Sequence, residues 1–91
     1  MQLSFIKNIQ FTKLIKADGR LREFNFRRYN SANQPAIFSV NVVDNRDNRI
    51  IFEMQKEDST WKIIKQQLPA WISENEMNFH DSIEEELKAS L

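Results

Sequence analysis

The sequence predicts an α+β domain in which a five-stranded antiparallel meander is covered on one face by a C-terminal amphipathic helix. Three observations carry that expectation. The single glycine among the 91 residues follows an aspartate, Asp18-Gly19, between two alternating apolar runs, which is the signature of a two-residue hairpin turn. Further runs downstream alternate apolar and polar residues with the period of two that marks half-buried strands. Beyond Leu68-Pro69 the apolar spacing lengthens to that of a helix.

The first two strands are expected over residues 9–16 and 21–29. A two-residue Asp18-Gly19 turn sets Phe11 opposite Phe26, Lys13 opposite Phe24 and Ile15 opposite Arg22. Phe11, Ile15, Phe24 and Phe26 then share one face, and Thr12, Leu14, Lys16, Glu23, Asn25 and Arg27 share the other. The polar stretch 30–35, ending in Pro35, reads as a connecting loop. A third strand over 36–43 and a fourth over 49–56 alternate Phe38, Val40 and Val42 with Ser39 and Asn41, and Ile50, Phe52 and Met54 with Glu53 and Gln55. A turn at Asn45-Arg46-Asp47 allows Val42 to face Ile50, Val40 to face Phe52 and Phe38 to face Met54, whereas a one-residue slip would mix the faces. Trp61 and Ile63 extend the meander with a fifth strand over 60–66, Trp61 facing Met54 and Ile63 facing Phe52, and the strand order is 1-2-3-4-5.

The helix is expected over 69–89. Pro69 suits its first turn, Glu74 and Glu76 come early, and Phe79, Ile83 and Leu87 recur at four-residue spacing with Ile72 ahead of them. Poor helix formers between Asn75 and Asn78 permit a break, with a short helix over 69–75 and a longer one to 89. Trp61 and Trp71 read as packing residues.

Composition narrows the function classes. Hydrophobic residues at 41% with 29% charged and no cysteine describe a folded single domain, residues 1–91, held by packing, without disulfides, thiolate chemistry or a cysteine zinc site. The apolar run after Met1 is too short for a signal peptide, no segment approaches the roughly 18 apolar residues of a membrane span, and a cytoplasmic location is expected. Net charge is zero, which argues against general attraction to nucleic acid or membrane. The charges are unevenly spread, however. Residues 1–49 carry nine Lys/Arg against four Asp/Glu and residues 50–91 carry four against nine, a division that marks either a basic binding surface or two halves that attract one another.

No constellation of residues calls for catalysis, and an enzyme, a cofactor or a metal is not expected. His80 is the only histidine. With Glu76 and Glu84 at four-residue spacing it offers imidazole and carboxylate ligands on one helix face, which reads more simply as a solvated polar face. The carboxylate pairs Asp44/Asp47 and Glu57/Asp58 fall in turns, where Asp bonds nearby backbone amides. The one ligand-like pattern is basic and aromatic interleaving from Arg20 to Tyr29, as in proteins that hold phosphates with cations and stack bases on rings. Its candidate contact residues are Lys16, Arg20, Arg22, Arg27, Arg28 and Tyr29.

Two stretches, Gly19-Arg-Leu-Arg-Glu-Phe-Asn-Phe-Arg27 and Asn48-Arg-Ile-Ile-Phe-Glu-Met54 with Trp61-Lys-Ile and Leu68-Pro-Ala-Trp-Ile72 after it, resemble a group of small bacterial proteins of unknown function. That resemblance covers most of the chain from residue 11 and implies no activity. In topology, a curved antiparallel sheet followed by a helix is similar to the PC4-like and Whirly single-stranded DNA binders, which dimerise through that helix. The balanced charge, acidic helix and additional strand depart from them.

The expected function is a small non-enzymatic interaction module that self-associates as a homodimer or binds a protein partner, with single-stranded nucleic acid binding through the first hairpin as the alternative. A helix about 30 Å long covers only part of a sheet about 24 Å wide. Leu14, Leu21, Ile37, Val43, Ile51 and Ile64 have the parity of the uncovered face.

Overall fold

A computed structural model describes residues 9–31, 34–64 and 66–89. The chain's first residues and the middle of the 30–35 stretch lie outside the described residues. Five strands, β1 (Gln10–Ala17), β2 (Arg20–Ser31), β3 (Gln34–Val43), β4 (Arg49–Glu57) and β5 (Thr60–Ile63), form one antiparallel sheet in the order β1-β2-β3-β4-β5. Two helices follow, α1 (Ala70–Ser73) and α2 (Glu76–Ala89). Helix α2 touches both β5 and β1, the first and last strands, so the sheet curls around it.

The expected registers of the first two hairpins are present. Phe11 faces Phe26 and Ile15 faces Arg22, while Val40 faces Phe52 and Phe38 faces Met54. Asp18 and Gly19 both take positive φ, 54° and 82°, as a two-residue turn that follows the strands' right-handed twist requires. The β3–β4 connection is organised by Asp44, whose Oδ1 accepts the backbone N–H groups of Arg46 and Asn48, each at 2.8 Å.

Four local expectations are corrected. Most of the 30–35 stretch belongs to strands, because pairing continues to Ser31 opposite Gln34 with a register shift after Tyr29. Such a bulge suits Pro35, which has no N–H to donate. The β4–β5 register is displaced by two residues, with Met54 facing Ile63 and Lys56 facing Trp61. The cause is the tightness of the turn: Asp58 and Ser59 both adopt positive φ, 50° and 71°, and reverse the chain in two residues. A shift of two keeps parity, so Trp61 still points inward. Strand β5 also ends at Ile63 rather than at residue 66. The helix breaks at Glu74–Asn75, earlier than Met77 and Asn78, which are helical. Buried Asn75 holds the junction by donating to the Trp71 carbonyl at 2.8 Å and accepting from Asn78 Nδ2 at 2.6 Å.

The core lies between the concave face of the sheet and the helices. Phe24, Phe26, Phe38, Val40, Phe52, Met54, Ile72, Phe79 and Ile83 are fully enclosed. Phe79 is the hub, with ring centroids of Phe24, Phe52 and Phe26 at 4.9, 5.4 and 6.2 Å. Each such ring contributes about 1.5–3 kcal/mol by burial, and Phe79 ties α2 to the middle of the sheet. Among the described residues no helix is long and apolar enough to cross a membrane.

Candidate functional site

The six residues of the basic and aromatic pattern do not form one surface. Lys16, Arg27 and Tyr29 lie exposed on the outer face of the sheet, away from the helices. Arg20 is exposed beside the turn, with the parity of the inner face. Arg22 and Arg28 point inward, opposite Ile15 and Phe38.

Arg22 is only 4% exposed and serves the fold. Beyond Asn25 opposite Asn41, β2 and β3 cease to pair, and the guanidinium fills the opening. It donates to the Ala17 carbonyl at 2.9 Å, the Val43 carbonyl at 3.3 Å and Asn45 Oδ1 at 2.8 Å. Its Cζ also lies over the half-buried Trp71 ring, 4.7 Å from the centroid. One side chain therefore joins the first turn, the β3–β4 connection and α1, a task suited to the fixed fork of arginine. Its alternation with Phe24 and Phe26 signals the inward placement in the sequence itself; the three acceptors do not show there, because they come from two turns distant in the chain.

The outer face carries large apolar side chains that remain exposed among the described residues. Leu14, Leu21, Tyr29, Val43 and Ile51 stand there with exposures from 36% to 65%, where a half-buried sheet ordinarily shows polar side chains. Through the middle of this face runs a row of cross-strand neighbours over four strands, polar at Thr12, Asn25 and Asn41 and apolar at Ile51. Thr12 Oγ1 donates to Asn25 Oδ1 at 2.7 Å, Asn25 Nδ2 donates to Asn41 Oδ1 at 3.3 Å, and Arg49 Nη1 donates to the same oxygen at 2.7 Å. A shallow groove of about 360 Å³ opens beside the row, between Leu21, Glu23, Val43 and Arg49. Charge on the face is mixed: Arg27 and Arg49 are interspersed with Glu23 and Glu53. Arg49 and Glu53, absent from the hairpin pattern, are as prominent here as the hairpin's own cations. Two of the six outer-parity apolar residues, Ile37 and Ile64, are half-buried.

Glu76, His80 and Glu84 form a seam along β5. Glu76 Oε2 accepts the Ile63 backbone N–H at 2.8 Å and His80 Nδ1 accepts that of Trp61 at 3.0 Å. Glu84 pairs with Lys56 at 3.0 Å, and that ammonium holds its carboxyl below the ordinary glutamate range. These side chains close the sheet's last edge. No group of three His, Cys, Asp or Glu residues gathers in a metal-holding arrangement among the described residues.

Comparison of the chain with protein-family models, curated proteins and solved structures finds no match.

Proposed function

We propose that this protein is a small non-enzymatic interaction module that binds through the outer face of its sheet and self-associates there. The supporting observation is the exposure of Leu14, Leu21, Tyr29, Val43 and Ile51 on one face while the opposite face is covered by helices. Large apolar side chains left in water on a small domain lower the free energy when a partner covers them, by about 25 cal/mol for each Å² removed. Four strands at about 4.8 Å and the nine residues from Leu21 to Tyr29, eight steps of about 3.4 Å, give a projected area near 500 Å² per copy on the convex face. The pair would bury about 1,000 Å², the lower end of specific interfaces, so a reversible dimer is expected.

Light scattering across a concentration series tests this directly. A mass that rises towards twice the monomer, and that Leu21→Lys with Ile51→Lys returns to one, supports the outer face as the binding surface. A monomer at every concentration refutes self-association. Single-stranded nucleic acid binding is the second reading, carried by Arg27 stacked 5.5 Å from the Tyr29 ring beside Lys16. It requires oligonucleotide retention at about 50 mM salt that falls steeply by about 200 mM.

A further inference from the structure

The charges of the outer face are arranged in opposition about its central row. On β2 the outward residues read Leu21, Glu23, Asn25, Arg27, Tyr29, with an anion two residues before Asn25 and a cation two residues after it. On β4 they read Arg49, Ile51, Glu53, the same opposition with the signs reversed. Asn25 and Ile51 belong to one cross-strand row through Asn41, so the two oppositions share a single line across the sheet.

We propose that two copies pack outer face to outer face about a two-fold axis that runs along this row, across the strands. The assignment rests on the self-association proposed above and adds its geometry. Rotation about such an axis exchanges positions at equal distance on either side of the row. Glu23 then meets Arg27 of the second copy and Arg49 meets Glu53 of the second copy, and symmetry doubles each pair, as an isologous interface must. The same operation lays Leu21 against Tyr29 and Ile51 against its own equivalent. The carboxylates of Glu23 and Glu53 make no ion pair among the described residues, so each is available to a partner. Aligned packing of twisted sheets departs from parallel by about 30°, which charges one row from the axis tolerate. An axis along β3 would also match charge, setting Glu23 against Arg49, yet it would place Ile51 against Asn25 and give Leu21 no apolar partner.

Charge exchange distinguishes these arrangements. Glu23→Arg places like charges opposite each other twice per dimer and is expected to raise the dimer Kd at least tenfold, on the scale of close interfacial charge pairs. Adding Arg27→Glu restores the pairing and is expected to return Kd to within about threefold of the parent. The independent pair Arg49→Glu, then Arg49→Glu with Glu53→Arg, should behave alike. Urea unfolding of each variant confirms that the monomer fold is intact. Rescue of Glu23→Arg by Arg49→Glu instead of Arg27→Glu overturns the axis in favour of the one along β3. A dimer abolished by Leu21→Lys with Ile51→Lys but indifferent to every charge reversal overturns the axis and leaves the outer-face reading standing. A parent protein that stays monomeric overturns both.

Discussion

Replacing Arg22 with lysine is expected to cost about 2–3 kcal/mol of folding stability while the fold persists. The guanidinium bonds three acceptors in two separate turns, at 2.9, 3.3 and 2.8 Å, and a single ammonium on a straight stem can retain only one of them. Two bonds from a charged donor are lost, each worth about 1.5–3 kcal/mol. Simple addition gives about 3–6 kcal/mol, but the 3.3 Å bond is at the weak end and exposed Asn45 can turn to water, so the net loss falls below that sum, at about 2–3 kcal/mol. Asp18 adds little, being 3.5 Å away with 47% of its side chain exposed, a setting in which an ion pair contributes at most about 1 kcal/mol. A domain of this length has about 5–14 kcal/mol in total. The loss should therefore lower Tm by roughly 10–20 °C. Urea unfolding followed by the fluorescence of Trp61 and Trp71 measures it, with an unchanged m value marking an unchanged fold. A lysine variant within about 0.5 kcal/mol of the parent would refute the idea that the arginine fork holds β2 and β3 together where their pairing ends.

Phe79→Ala empties the hub between Phe24, Phe26 and Phe52 and should cost about 3–5 kcal/mol, read as a lower urea midpoint and loss of near-ultraviolet aromatic signal. Ser59→Gly removes a β-carbon from a residue at φ 71° and should stabilise the last hairpin by about 0.5–1 kcal/mol, the relief of left-handed backbone less the added freedom of glycine when unfolded. The Asp44 carboxyl is held below its ordinary value, chiefly by the Asn48 N–H, and Glu84 by Lys56. Folded-state values below the unfolded ones mean that both contributions are complete above the ordinary carboxylate value and are lost as pH falls from that value through the lowered folded one. Thermal melts from pH 7 to pH 3 should show that decline, and Glu84→Gln should make it shallower by under about 1 kcal/mol; an equal slope in the variant would remove Glu84 as a contributor.

The strand order and two registers were legible because each strand has one apolar face and a slip by one residue would turn that face to water. The last register was not, since the alternation of Phe52 and Met54 against Trp61 and Ile63 is satisfied by slips of two. Only a turn made of Asp58 and Ser59, two residues without the glycine that usually marks it, chooses between them. At the candidate site, parity identified the outward apolar residues, and it also placed Arg22 opposite Ile15 on the inner face. Composition grouped Arg22 and Arg28 with the other cations although their side chains point inward. The roles of Glu76 and His80 are not written at four-residue spacing: they depend on which backbone N–H groups the folded sheet leaves free beside α2.

That seam bears on how this chain can assemble. Trp61 and Ile63 turn their N–H groups away from β4, and His80 and Glu76 occupy both, so β5 offers no template to an incoming strand. At the other end β1 pairs with β2 alone among the described residues. Growth of a fibre by strand addition needs two receptive ends on every subunit. Here one end is spent, and any chain of copies joined edge to edge must stop at two.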